Sequence, residues 1–318
     1  MCTGVRFTDS KGHMFFGRNL DWIEDYGQSI VFTPRHAKIP APFLGTIEPA
    51  YACIGTAIVV DGMPCYFDAG NEAGLAVAGL NFPGYAKFAE QPVSGRVNVA
   101  AFEFPLYLVA NCSTLSEVRA ALQDLTVVAK APDPKLGVAD LHWLVGDATG
   151  SLVIECQADG MHVYDNDLDV LTNQPPFPWH HENVRNYMTL SAAYPEPDTW
   201  TRDTLEPFSS GAGMVGFPGG CDPASRFVRA AYTNAHHPAE EGERANVARL
   251  FRTLGGSAMP KGVGRQGDGR FEYTLYTGGY SAATKTYYFN TYEEPAYQQA
   301  SLSDFDLDGT ELIEVPRK

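Results

Sequence analysis

The sequence is short of positive charge: 23 Lys and Arg stand against 38 Asp and Glu, a formal net charge of −15 over 318 residues. That balance argues against nucleic acid or membrane as the main partner, because both an RNA or DNA backbone and an anionic bilayer require a basic face. No apolar run approaches the roughly 18 residues that a membrane-spanning helix needs. The start of the chain, Met1-Cys2-Thr3-Gly4-Val5-Arg6-Phe7, lacks the basic and apolar regions of a secretory signal, so a cytoplasmic location is expected. The six cysteines (Cys2, Cys53, Cys65, Cys112, Cys156 and Cys221) form no C-x-x-C. Scattered in this way, they are expected to be reduced, most of them packed as small hydrophobes.

Several chemical motifs are also missing. There is no H-E-x-x-H and no Cys/His spacing for zinc, and His180-His181 and His236-His237 are adjacent pairs whose rings point in different directions. Asp304-Phe305-Asp306-Leu307-Asp308-Gly309 opens like a calcium loop, but Val315 stands where its last carboxylate is required. The glycines between Lys261 and Gly269 lack the G-K-[ST] ending of a phosphate loop, and no Gly-x-Ser-x-Gly elbow occurs. No metal and no cofactor are expected.

What is present is an ordinary globular composition, 44% hydrophobic and 19% charged, enough to bury a sizeable core. Strand patterning covers 2–8, 13–18, 52–60, 64–67, 74–80, 141–146, 151–156, 161–164, 168–172, 271–277 and 284–290. Helical periodicity covers 98–110, 114–123, 225–235 and 243–254, the second opening on a Thr114-x-x-Glu117 capping box. Strands come in adjacent pairs, with helices clustered between the pairs. This is an antiparallel α+β pattern, not a doubly wound one. With no repeat, low-complexity tract or linker, one domain over 1–318 is expected.

Cys2 is the residue with the most chemical potential. Read by position alone, it is a cysteine that happens to follow the initiator. If Met1 is removed, however, its thiol and a free α-amine share one residue. An amine of pKa about 7.7–8.0 can take the thiol proton near neutral pH, the arrangement of an N-terminal nucleophile. A turn at Asp9-Ser10-Lys11-Gly12 would set Thr3 opposite Arg18 and Cys2 opposite Asn19, bringing Arg18 and Asp21 beside that terminus. A guanidinium there favours a thiolate, and a carboxylate can hold the amine.

Met1-Cys2-Thr3-Gly4 followed by Phe16-Gly17-Arg18-Asn19-Leu20-Asp21-Trp22 resembles the start of the choloylglycine hydrolase family, the bile salt hydrolases and penicillin V acylases. The likeness continues through Asn71-Glu72, Gly74-Leu75, Ala78-Gly79-Leu80-Asn81-Phe82-Pro83 and Leu171-Thr172-Asn173-Gln174-Pro175. It ends in Ser225-Arg226-Phe227 and Tyr288-Phe289-Asn290-Thr291-Tyr292, and it is nearest to bile salt hydrolases of intestinal actinobacteria. The resemblance implies a four-layer αββα N-terminal nucleophile (Ntn) fold, commonly a homotetramer, that cleaves glycine- or taurine-conjugated bile salts. It implies Cys2 as nucleophile, Arg18 and Asp21 holding its terminus, and Arg226 completing the polar cluster. Asn173 (side chain) and Asn81 (backbone N–H) would form the oxyanion hole. By family pattern, Asn81 favours bile salts over penicillin V, where Tyr is common. A steroid needs an apolar pocket, for which Trp22, Ile23, Tyr26, Phe67 and, by family position, Leu136 are candidate walls. Two other readings stay open: a penicillin V acylase, and a catalytically silent steroid-binding protein.

Overall fold

The computed structural model describes residues 1–317. Its first hairpin positions the rest of the site. Strands β1 (Cys2–Thr8) and β2 (Met14–Trp22) pair antiparallel, with Cys2 opposite Leu20, Thr3 opposite Asn19 and Gly4 opposite Arg18. The expected register is therefore corrected by one residue. Asp9 N–H donates to His13 O at 2.9 Å, and the Asp9 carboxylate accepts from Lys11 and His13 N–H at 2.8 Å each. Gly12 takes φ 84°, a left-handed conformation that adds one residue to the loop.

That one residue reverses the faces. In the expected register Arg18 and Cys2 would point to opposite sides of the sheet. In the observed one Cys2, Gly4, Arg18 and Leu20 share a face, and Thr3, Asn19 and Asp21 share the other.

Two large antiparallel sheets stack on each other. The seven-stranded sheet runs β14 (Val170–Leu171), β1, β2, β18 (Phe271–Ser281), β19 (Thr286–Thr291), β20 (Gln298–Ser301), with β17 (Gly264–Arg265) joined to β18. The eight-stranded sheet begins β13 (Gly160–Asp165), β12 (Gly150–Gln157), β11 (Leu141–Asp147), β8 (Ala76–Asn81). It continues β7 (Met63–Asn71), β6 (Cys53–Val60), β3 (Ser29–Thr33), β21 (Ile313–Val315). Three small pairs are β4 (Ile39–Ala41) with β5 (Gly45–Ile47), β9 (Val97–Ala100) with β10 (Leu125–Val128), and β15 (Asp198–Trp200) with β16 (Asp203–Leu205).

Helices α1 (Phe104–Asn111) and α2 (Leu115–Gln123) cover the eight-stranded sheet, and α4 (Pro223–His236) and α5 (Glu243–Gly255) cover the seven-stranded one. A short α3 (Phe177–Asn183) packs beside α4. The four layers of the expected αββα sandwich are therefore present. Gly4 faces Leu80 and Leu144 of the other sheet, whereas Gly17 faces Leu250 and Leu254 of α5, which fixes the two faces of the hairpin.

Local readings and structure differ at some edges. The expected helix 98–110 begins only at Phe104, with Pro105 in its first turn, because Val97–Ala100 pairs as a parallel strand with Leu125–Val128. Thr114 caps α2 as expected, accepting from Glu117 N–H, but the Glu117 carboxylate turns back to Ser113 rather than Thr114. Strands β3, β20 and β21 have no counterpart in the sequence reading. Five of the six cysteines are buried and all are free. Burial pushes the thiols of Cys53, Cys65 and Cys156 up to about 12 and that of Cys112 to about 11.

Candidate active site

Every polar atom of Cys2 has a partner. Its side chain faces the other sheet and is 2% exposed. Arg18, two residues back from Leu20 on the same face, donates from Nη2 to Cys2 Sγ at 2.6 Å. The Cys2 N–H donates to Asn173 Oδ1 at 2.9 Å. The Cys2 carbonyl accepts from Arg226 Nη1 at 2.5 Å.

Arg226 reaches this point because α4 starts there. Asp222 caps the helix through Ser225 N–H at 3.0 Å, Pro223 occupies the first turn, and Arg226 projects beneath β1. It is fully buried and donates also to Thr3 Oγ1 at 2.7 Å and to Asn173 Oδ1 at 2.6 Å. Asn173 completes the ring, its Nδ2 donating to Asn81 O at 2.6 Å. Phe82 N–H bonds Asp140 O at 2.7 Å, which makes Asn81–Leu141 a non-hydrogen-bonded pair. The Asn81 N–H therefore points away from β11, to the side from which Asn173 approaches.

The electrostatics follow from burial. Burial opposes the charge on Arg18, yet the Cys2, Tyr276, Asp68 and Asp21 groups around it outweigh that and raise its pKa. Burial lowers that of Arg226, with Asp21 and Cys2 opposing. Two guanidinium groups thus flank the sulfur and its backbone in a site nearly free of solvent, where charge–charge terms are strong.

Met1 closes the site. Its carbonyl accepts from Asp21 N–H at 2.9 Å, prolonging the β1–β2 ladder, and its ammonium contacts Asp21 O and Glu272 Oε1. Burial holds that ammonium below its ordinary pKa. With Met1 in place, the Asp21 carboxylate makes no hydrogen bond to an amine. One of its oxygens accepts from Thr274 Oγ1 at 2.5 Å; the other, Oδ2, lies 3.6 Å from Arg226 Nη1 and has no hydrogen bond.

A family model described as linear amide C–N hydrolases, choloylglycine hydrolase family, matches residues 2–315. The chain belongs to this family. It is 50% identical to a bile salt hydrolase/transferase of Bifidobacterium longum over 318 residues, all of both chains. The conjugated bile acid hydrolase of Clostridium perfringens superposes with a TM-score of 0.94 at 31% identity, covering 100% of this chain and 97% of that one. A penicillin V acylase of Agrobacterium tumefaciens shares the fold, with a TM-score of 0.75 at 19% identity over 98% of this chain and 90% of that one.

Within this choloylglycine hydrolase fold, three of the five expected pocket residues stand together. Trp22 Nε1 donates to Tyr26 Oη at 2.7 Å, the Tyr26 and Phe67 rings stack at 6.2 Å, and Phe67 O lies 3.5 Å from Arg18 Nη1. Ile23 follows Trp22 and is half-buried. Leu136 is 41% exposed on the turn after Asp133. Two cavities, of about 480 and 270 Å³, lie elsewhere, and neither is lined by Cys2 or Arg18.

Sequence reasoning missed Asn19, Asp68, Thr274 and Tyr276. Asn19 Nδ2 donates to Leu254 O at 2.8 Å, tying β2 to α5, and Thr274 holds Asp21. Polar residues at buried positions of β2 and β18 are the signal that could have found Asn19 and Thr274.

Proposed function

We propose that this chain hydrolyses the amide joining a bile acid to glycine or taurine, through Cys2 made N-terminal by loss of Met1. The observation that carries the reading is that Sγ, N and O of Cys2 are each held by a different expected site residue: Arg18, Asn173 and Arg226. Full-length identity of 50% to a bile salt hydrolase supports the substrate class.

The chemistry follows. The free Cys2 amine takes the thiol proton, and the sulfur attacks the amide carbon. Charge moves to the carbonyl oxygen, which the second N–H of Asn173 and the backbone N–H of Asn81 would receive. The amine returns the proton to the leaving nitrogen, and glycine or taurine departs, leaving a bile-acyl thioester. The same amine then deprotonates a water that attacks the thioester, releasing the bile acid and restoring the thiol. Asp21 Oδ2, buried and without a donor, suits the ammonium that appears at Cys2 during turnover. The aromatic surface of Trp22, Tyr26 and Phe67 beside Arg18 suits one face of a steroid.

The reading includes one domain, a cytoplasmic location and a homotetramer. Six free thiols support the first compartment named. The segment around the β15–β16 hairpin exposes Met188 (80%), Trp200 (68%) and Val215 (86%), apolar side chains suited to contact with other copies of the chain.

The test is incubation of mature protein with glycocholate, taurocholate and penicillin V, measuring released amine. Bile salt cleavage that vanishes in a folded Cys2→Ala variant is expected. Cleavage of penicillin V alone, or steroid binding without cleavage, would overturn the reading, as would a Cys2→Ala variant that stays active.

A further inference from the structure

Behind Arg18, on the side away from Cys2, lies a buried acidic cluster that the reaction above does not use. Gly278 sits opposite Arg18 in the β2–β18 ladder. A Cβ at Gly278 would stand 2.1 Å from Tyr287 Oη and 3.0 Å from Asp68 Oδ2, so the missing side chain leaves the space these groups fill. Asp68, 2% exposed on β7 of the facing sheet, accepts from Tyr276 Oη at 2.5 Å and from Tyr287 Oη. Tyr287 Oη also meets Thr56 Oγ1 at 2.7 Å, anchoring the cluster to β6. Tyr276 Oη in turn lies 3.4 Å from Arg18 Nη1, and its ring lies 5.6 Å from the guanidinium.

The guanidinium thus has two ends. Nη2 is spent on Cys2 Sγ. Nη1 has only long contacts, to Tyr276 and Phe67 O at 3.5 Å, and Nε has no hydrogen bond. Few direct bonds hold this side chain in plane, so its aim depends on the charge and packing behind it. A purely structural tyrosine pair would not require an ionisable partner, and burying a carboxylate without a cation nearby is costly. Among the described residues, the one guanidinium or ammonium facing Asp68 is that of Arg18; the other groups on it, from β18 and β19, are the neutral hydroxyls named above.

We propose that Asp68 and Tyr276 are positioning residues: together, braced by Tyr287, they hold the Arg18 guanidinium in the orientation that presents Nη2 to the Cys2 sulfur. This rests on Cys2 being the nucleophile. Asp68 touches neither the sulfur nor the expected oxyanion donors. Its effect passes through Arg18 alone, which distinguishes it from a charge acting on the thiol across space. A carboxylate acting directly would disfavour a thiolate, whereas a carboxylate that aims Arg18 favours it.

The opposite signs make the test decisive. Mature wild type, Tyr276→Phe and Asp68→Asn are compared for kcat, KM and the pH dependence of Cys2 alkylation by iodoacetamide, followed by mass spectrometry at Cys2. Both variants should lose about tenfold in kcat, the scale of one hydrogen bond to a charged group, with KM within about twofold. Both should move the alkylation profile to higher pH. In an Arg18→Leu background, neither substitution should move that profile further. A profile that shifts to lower pH in Asp68→Asn, or stays put in Tyr276→Phe, overturns the proposal. So do additive effects in the Arg18→Leu background. If Asp68→Asn does not fold, Tyr276→Phe carries the test. Cys2→Ala assayed alongside keeps the underlying reading separate: activity in that variant sinks the nucleophile assignment, while the alkylation series still reports on Arg18.

Discussion

Replacing Asn173 by alanine removes one amide that joins three groups, and the structure sets the size of both consequences. Its Oδ1 accepts from Cys2 N–H at 2.9 Å and Arg226 Nη2 at 2.6 Å, and its Nδ2 donates to Asn81 O at 2.6 Å. Arg226 keeps its bonds to Cys2 O, Thr3 and Cys221 O, so it stays in place. Two groups, Cys2 N–H and Asn81 O, lose their side-chain partner outright. Each buried group left unpaired costs about 1–3 kcal/mol, and water entering the opened site recovers part of that. A loss of about 2 kcal/mol is therefore expected, a fall in melting temperature of about 4–8 °C at about 2–4 °C per kcal/mol. The catalytic loss should be larger. Removing one oxyanion donor lowers kcat by roughly 10²–10³, with little change in KM. The assay is steady-state release of glycine from glycocholate at saturating substrate, beside calorimetric melting of the same sample. Normal kcat with a greatly raised KM would refute the reasoning and move Asn173 to substrate binding. A melting loss without a kinetic one would refute the donor role as well.

Four further outcomes follow from the same structure. A chain that retains Met1 should be inactive, because Met1 leaves the thiol 2% exposed and keeps Cys2 N in a peptide bond. Because the Met1 amine and carbonyl are both engaged, a methionine aminopeptidase should trim this chain unfolded but not folded, as read by intact mass. Glu103 is fully buried, accepts from Ala100 N–H at 2.6 Å and leaves its other oxygen without a partner; burial raises its pKa from 4.5 to about 7. For an acid with a raised folded pKa, the stability contribution is full below the unfolded value and is lost as pH rises through about 7. Glu103→Gln should thus melt about 2–4 °C above wild type at pH 8 and level with it at pH 4, and an equal gap at both would exclude this origin. Trp200→Asp with Met188→Asp should shift sedimentation of the proposed homotetramer to smaller species, and unchanged sedimentation would exclude the β15–β16 segment as the interface.

The candidate nucleophile and its neighbours were legible within the first 21 residues, because Cys2, Arg18 and Asp21 belong to one hairpin and local pairing needs no tertiary information. The α+β class and the capped start of α2 were equally local, set by periodicity and by Thr114. The side of the sheet each residue faces was not. One extra loop residue, made possible by Gly12 in a left-handed conformation, put Arg18 on the face of Cys2 and Asp21 on the opposite one. The short edge strands Gln298–Ser301 and Ile313–Val315 exist because a neighbour offers them unpaired backbone groups, not because of their own composition. Asn173 and Arg226 meet Cys2 across 171 and 224 residues of chain, and Asp68 meets Tyr276 across 208. Motif likeness singled out the first two, but only the stacking of two sheets and the seating of α4 beneath β1 brings them to the sulfur's residue. Asp68 and Tyr276 had no motif at all, since a carboxylate on β7 and a phenol on β18 meet only when the two sheets face each other over the gap at Gly278.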